Sequence, residues 1–154
     1  MSSRRMAGAV GGALAAGLGL TAMMMLGERK EGEASELMVL ERAAAARLGR
    51  PTPPADRLPD AREQALAQGA HLALSALAGV AYAAATPDET DVVPGGIAFG
   101  LAFYAAAHWI AGPALGLKAP EWRSDPATIG THAANHVLFG LVTAAAAKAA
   151  SRAG

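Results

Sequence analysis

The chain has 154 residues, a length that favours a single domain. Its 13 Lys and Arg balance its 13 Asp and Glu, so there is no net charge to attract nucleic acid. The sequence contains no cysteine, which excludes disulfides, thiolate metal sites and thiol catalysis. Charged residues make up 17% of the chain, compared with ~25% in soluble domains, and this composition favours a membrane protein.

Four stretches contain no Lys, Arg, Asp or Glu: residues 6–26, 68–85, 92–111 and 127–147. Because about 20 apolar residues let a helix cross a bilayer, these stretches predict four transmembrane helices. The alternative is a soluble alanine-rich bundle, but a soluble surface helix needs a polar face, and residues 6–26 offer only Thr21. We therefore predict an all-α fold, a four-transmembrane-helix bundle that forms one domain over residues 1–154, with the lipid bilayer as its partner.

The first stretch carries small residues at helical spacing. Gly8, Gly12 and Ala16 recur every four residues, and such a stripe lets a second helix approach closely. It predicts a helix-packing face, in a homo-oligomer or as the contact of a small subunit in a larger membrane complex, although an Ala/Gly-rich composition alone also yields this spacing. Arg4 and Arg5 precede the stretch, but its length and the lack of a small-residue cleavage site favour an uncleaved helix over a signal peptide.

Residues 27–67 form a polar loop that contains one further predicted helix. An apolar stripe runs through residues 36–48, with Ser35 as the N-cap and Gly49 as the stop signal. This amphipathic helix lies either along the membrane interface or in solvent, packed on its neighbours. Prolines between residues 51 and 59 then predict a stiff, extended segment, and residues 60–68 start the next helix before it enters the bilayer.

The second and third stretches are joined by the short polar turn 86–91, which predicts that their helices are antiparallel neighbours. Residues 112–126 connect the third stretch to the fourth. Trp109 and Trp122 bracket this connector, as indoles tend to do at a membrane–water boundary. If the helices alternate in direction, the start of the second, the end of the third and the start of the fourth share one membrane face.

All four histidines are expected near that face. At 1.5 Å per residue, their rings fall roughly 5–13 Å below it. His132 and His136 are four residues apart and therefore lie on one side of their helix, with Asn135 beside them and Thr128 extending the stripe. The predicted polar cluster consists of His71, His108, His132, His136, Asn135 and Thr128.

Three interpretations of this cluster follow from its chemistry. The side chains form hydrogen bonds between helices or with boundary water. They respond to protons, because histidine titrates near neutral pH. They bind a transition metal or a haem through His71, His108, His132 and His136. The uncharged stretches hold no carboxylate for a di-iron site, and the sequence carries no catalytic motif, so no enzymatic activity is predicted.

Two motifs resemble those of a known family. The first is Gly100-Leu101-Ala102-Phe103-Tyr104 followed by Gly112-Pro113-Ala114-Leu115-Gly116-Leu117, Pro120 and Trp122, and the second is the segment 136–143. Together they resemble the YagU-like family of bacterial inner-membrane proteins, which have no characterised biochemical activity. The resemblance implies a multi-pass protein of the bacterial inner membrane, linked through the family's namesake to acid tolerance. His136 and Gly140 match the family's His-x-x-Tyr-Gly element, without a catalytic role, and Phe139 replaces its tyrosine.

Positive charge predicts two opposite orientations in the membrane. Nine Lys and Arg fall on the side of the long loop and four on the side of the termini, which favours a cytoplasmic long loop. Arg4 and Arg5 stand directly beside the first helix and favour the reverse.

Overall fold

The computed structural model describes residues 2–54 and 56–153, which contain helices and no strand, so the all-α prediction is confirmed. The helices are α1 (Ser3–Glu31), α2 (Glu36–Arg47), α3 (Ala61–Ala85), α4 (Val92–Tyr104), the short α5 (Gly112–Ala114) and α6 (Pro126–Arg152). A π-helical segment, Ala105–Ala111, joins α4 to α5, and a 3-10 turn, Glu121–Arg123, precedes α6.

Capping residues fix where several helices begin. The Asp60 carboxylate accepts from the backbone N–H of Glu63 at 3.0 Å, and the Glu63 carboxylate accepts from the Asp60 N–H at 3.1 Å, which forms a capping box. The Asp125 carboxylate caps α6 by accepting from the backbone N–H groups of Ala127 and Thr128, ahead of a proline at the first helical position. Ser35 stands at the predicted N-cap of α2, but its hydroxyl makes no capping bond; its N–H donates to the Glu28 carboxylate at 3.0 Å instead.

The four long helical stretches alternate in direction. At one end, Gln64 near the start of α3 donates to Glu28 near the end of α1. At the opposite end, Arg5 donates to the Ala83 carbonyl at 2.7 Å, and Lys148 donates to the Asp88 carbonyl at 3.1 Å. We call the first the connector end, since it holds α2 and residues 115–125, and the second the terminal end, since it holds the start of α1 and the end of α6.

Glycines determine which helices pack together. A β-carbon on Gly79 of α3 would lie 2.8 Å from the Ala9 carbonyl oxygen of α1. One on Gly96 of α4 would lie 2.8 Å from the Leu141 Cα of α6, and Gly140 of α6 faces Gly96 and Gly100 in return. Consequently α3 packs mainly on α1, and α4 mainly on α6. The prediction that α3 and α4 pack as neighbours is therefore wrong in its main contacts, although rings of the two helices still meet.

The small-residue stripe of α1 is covered by the chain itself. A β-carbon on Gly8 would lie 2.5 Å from the Ala150 β-carbon, and one on Gly12 would lie 2.5 Å from that of Ala146. Ala16 packs beside a buried cluster that includes Phe139 of α6. In this structure the stripe is thus an intramolecular contact between α1 and α6.

Within the described parts of the chain, three helical stretches are long and apolar enough to cross a membrane: Ser3–Glu31, Ala61–Ala85 and Val92–Ala114. The predicted fourth span, 127–147, forms a helix as expected, but α6 is not among the three. The reason is its composition, because His132, Asn135 and His136 lower the mean hydropathy of its first half. Three of the four predicted spans are therefore confirmed as apolar enough to cross a membrane, and the fourth stays a prediction.

Candidate functional site

The connector between α5 and α6 brings a lysine and a glutamate back onto the bundle. Gly116 has a φ of +63°, a left-handed conformation that favours glycine, and its carbonyl accepts from the Arg47 guanidinium of α2 at 2.9 Å. The reversal lays the Lys118 side chain over Gly112, where a β-carbon would lie 2.9 Å from Lys118 Cγ. Glu121 is the first residue of the 3-10 turn and contacts His108 of the π-helical segment.

Glu121 is fully buried and accepts four hydrogen bonds. Its Oε1 is 2.8 Å from the Tyr104 hydroxyl and 2.9 Å from His132 Nδ1. Its Oε2 is 2.7 Å from Lys118 Nζ and also contacts His108 Nδ1. A carboxylate can accept about four hydrogen bonds, so its burial leaves no lone pair without a donor.

Glu36, the first residue of α2, contacts two of the residues that bind Glu121. Its Oε2 lies 3.0 Å from His132 Nε2, and its Oε1 pairs with Lys118. His132 therefore lies between two carboxylates, with one ring nitrogen on each. We refer to Glu36, Tyr104, His108, Lys118, Glu121 and His132 as the histidine–carboxylate network.

The carboxylates of this network are held in their ionised form. Burial acts to raise the pKa of Glu121, but hydrogen bonds from Lys118, Tyr104 and His132 outweigh it and lower the pKa to about 2. For Glu36, burial likewise acts against ionisation, and the contacts with His132 and Lys118 lower its pKa to about 2. Burial alone would lower the pKa of Lys118, yet its bonds to Glu121 and Glu36 raise it.

The same residues bear on the metal interpretation. Within the described parts of the chain, Glu36, His108, Glu121 and His132 offer ligand atoms within 4.8 Å of one another, a spacing compatible with one ion. Lys118 Nζ, however, bonds both carboxylates and lies 3.1 Å from His108 Nδ1. Its ammonium thus supplies positive charge where a metal would have to bind, so the arrangement is that of a closed ion network.

The remaining predicted residues are not part of the network, although one of them, His136, packs against it. His136 Nδ1 bonds the His132 carbonyl at 2.9 Å, and its ring packs edge-on against His108 with centroids 5.0 Å apart. His71 lies on α3, where its Nδ1 is 3.2 Å from the Thr21 hydroxyl. Thr128 instead donates to Asp125 at 2.6 Å, as part of the cap of α6, and does not join the cluster.

A cavity of about 340 Å³ connects these groups at the connector end. All four histidines and Asn135 line it. Its other walls are largely apolar and come from α1, α2, α3, α4, the π-helical segment and α6, with Leu20, Leu37 and Leu40 among them. The expectation that the histidines lie near one end of the bundle thus agrees with their position around a single space.

Sequence reasoning missed Glu36, Lys118 and Glu121. It considered carboxylates only inside the uncharged stretches, whereas these residues lie in the loops that fold back on the bundle. A usable signal was present: Lys118 and Glu121 are three residues apart and follow directly after a glycine- and proline-rich turn. No family model, curated protein or solved structure matches this chain.

Proposed function

We propose that this chain is a four-span membrane protein in which the histidine–carboxylate network acts as a proton-responsive latch. The latch joins α2 and the connector to α6 at one end of the bundle. The observation that carries the proposal is the position of His132, whose two ring nitrogens lie 2.9 and 3.0 Å from carboxylate oxygens of Glu121 and Glu36.

The membrane depth of α6 is inferred from its partners. It packs along α1 and α4, and both of these belong to stretches apolar enough to span a bilayer. Its histidines point into the network and the cavity, so the polar atoms that lower its hydropathy are sheltered by protein. A helix held between two spanning helices by glycine contacts occupies the same depth of the bilayer.

The proton dependence of the latch follows from the number of N–H groups that His132 needs. A carboxylate only accepts, so both ring nitrogens of His132 must donate, and only the imidazolium has two N–H groups. With His132 protonated, two carboxylates are balanced by Lys118 and His132. Loss of the proton leaves one nitrogen facing a carboxylate without a hydrogen, and the network retains an unbalanced negative charge.

Every charged group around His132 enters this argument. Glu36 faces it from α2, Lys118 and Glu121 from the connector, and the rings of His108 and His136 from the π-helical segment and α6. The two carboxyl groups have pKa values of about 2, so they remain ionised in mild acid. The latch is therefore closed in mild acid and weakens as the pH rises through the titration of His132.

A role in acid tolerance is consistent with this direction. The resemblance to YagU-like proteins points to the same role, and to the bacterial inner membrane as the location. A helix that docks more firmly as protons accumulate would keep the connector end closed under acid stress.

The experiment compares acid survival of cells that express the unmodified chain, Glu36→Gln or Thr128→Ala. Glu36→Gln removes one charge from the latch, whereas Thr128→Ala changes the same end of α6 outside the network. We expect Glu36→Gln to lower acid survival at equal membrane abundance, and Thr128→Ala to leave it unchanged. Equal survival of all three strains would contradict the proposal.

The metal alternative has weaker support because Lys118 competes for the same acceptors. It predicts stoichiometric zinc in protein purified without chelators, and the latch predicts none. The haem alternative stays a prediction that no contact in the described residues favours.

A further inference from the structure

The cavity beneath α2 presents two histidine nitrogens that can only accept hydrogen bonds. Their protonation is assigned by the hydrogen-bond partners of the opposite ring nitrogens. His136 Nδ1 lies 2.9 Å from the His132 carbonyl oxygen, and because a carbonyl cannot donate, Nδ1 carries the hydrogen. In the neutral ring, Nε2 of His136 then carries no hydrogen and has a free lone pair.

The second nitrogen is assigned by a directional chain of bonds that begins at a carboxylate. Glu28 can only accept, so the Gln64 amide donates to it, and Gln64 Oε1 in turn accepts from Gln68 at 3.3 Å. Gln68 Oε1 accepts the Thr21 hydroxyl hydrogen at 2.8 Å. Thr21 has no further hydrogen to give, so its contact with His71 must be donated by His71 Nδ1. In the neutral ring of His71, Nε2 therefore also has a free lone pair.

Neither nitrogen is paired with a group of the protein that the structure describes. Among residues 2–54 and 56–153, neither Nε2 has a hydrogen-bond partner, and neither is among the side-chain atoms sealed from solvent without one. Asn135 lines the same cavity, and its amide forms no hydrogen bond with the described part of the chain. The cavity thus combines two acceptors and one amide with walls formed by leucine, methionine and phenylalanine side chains.

These features point to a small neutral molecule with hydroxyl donors. We infer that the cavity binds an apolar compound with a phenolic or similar hydroxyl head, which donates to Nε2 of His71 or His136. A volume of about 340 Å³ falls in the range of small-molecule sites, roughly 300–1,000 Å³. An ion is disfavoured because the neighbouring charges already neutralise one another within the network.

The test uses hexylresorcinol as the probe and its dimethyl ether as the matched ligand without donors. Binding to the intact protein in nanodiscs is measured by equilibrium dialysis at neutral pH, with empty nanodiscs subtracted. We expect saturable binding of one hexylresorcinol per chain and about tenfold weaker binding of the ether, the difference that about 1.4 kcal/mol produces. Equal binding of the two compounds to the unmodified protein would overturn the inference.

Two pairs of variants locate the site. Leu40→Trp places an indole in the cavity, whereas Val39→Trp places it on the exposed side of α2. Leu40→Trp should abolish saturable binding and Val39→Trp should retain it. His136→Phe should weaken hexylresorcinol binding severalfold but not that of the ether, whereas Gly130→Ala, at an open position of α6, should change neither. Full binding by Leu40→Trp would place the site elsewhere and refute the inference.

Discussion

At the scale of the residue, Glu121 depends on its four donors. A buried carboxylate costs several kcal/mol of desolvation, and the contacts with Lys118, Tyr104, His108 and His132 offset that cost. Loss of one partner is then more destabilising than an exposed ion pair would suggest, because the remaining charges stay buried.

Glu121→Gln tests this dependence. The amide retains the size of the side chain but removes the charge that neutralises Lys118 and His132. We expect the free energy of unfolding to fall by about 3 kcal/mol, the lower range for breaking a buried pair. Glu89→Gln, on the exposed turn between α3 and α4, is the control and should have little effect. SDS titration in mixed micelles measures both, and a loss no larger than that of the control would count against the network.

The pH dependence of stability has two limbs. Glu36 and Glu121 have pKa values of about 2 in the folded chain, against an ordinary value of 4.5. Groups with a lowered pKa stabilise the fold above 4.5 and lose this contribution as the pH falls towards 2. The imidazolium of His132 contributes in the opposite sense, so stability also declines as the pH rises through its titration.

We therefore expect the free energy of unfolding to be greatest in mild acid, between these limbs. Tyr104→Phe removes a hydrogen bond that holds the pKa of Glu121 low, so the acid limb should begin at a higher pH. Unfolding followed by tryptophan fluorescence is a suitable measure, because Trp122 is adjacent to Glu121. An acid limb at the same pH in both proteins would contradict the assigned role of the tyrosine.

At the scale of the element, contacts between glycines set the distance between α4 and α6. A β-carbon on Gly140 would approach the Gly96 carbonyl and lie 2.9 Å from the Gly100 nitrogen. Backbone atoms cannot move aside as flexible side chains can, so Gly140→Ala should separate the helices at some cost in stability.

We expect Gly140→Ala to destabilise the protein by about 1–3 kcal/mol, the usual cost of overpacking. Gly130→Ala is the matched control on the same helix, because no atom lies within 4 Å of the added β-carbon. That change should stabilise α6 slightly, since alanine is the better helix former. Thermal unfolding in detergent compares the two, and an equal effect would show that the close approach is unimportant.

The sequence was sufficient to predict the long helices and α2, and to predict that the four histidines lie at one end of the bundle. Uncharged stretches, capping residues such as Asp60 and the alternation of direction depend on local pattern, which a sequence displays directly. The pairing of α3 with α1 was not predictable from loop length, because glycine contacts override chain proximity. Glu36 and Glu121 were missed because their position depends on how two loops fold back, which no helical period encodes.

At the scale of the whole molecule, the bundle contains four helices with alternating directions, and three of these stretches meet the apolarity of a membrane span. If α6 is the fourth span, both termini share one side of the membrane and α2 lies on the other. The chain has no native cysteine, so single-cysteine variants can report the side of each segment without background.

We predict that cysteines placed at Ser3 and Ser151 react with an impermeant maleimide from one side of sealed vesicles. A cysteine at Val39, which is half exposed on α2, should react only from the other side. Detergent-solubilised samples control for reactivity. Labelling of Ser151→Cys from the same side as Val39→Cys would leave three spans and refute the position proposed for α6.

The most direct test of the latch is the distance between α2 and the bundle at two pH values. Spin labels on Val39→Cys and Leu77→Cys, exposed positions of α2 and α3, report this distance by pulsed electron resonance. At about pH 5, with the histidine charged, we predict one narrow distribution. At about pH 9, which is below the ordinary lysine pKa of 10.5, we predict a broader distribution. The Glu36→Gln variant should give a broad distribution at both pH values. A distribution in the unmodified chain that does not change with pH would contradict the account.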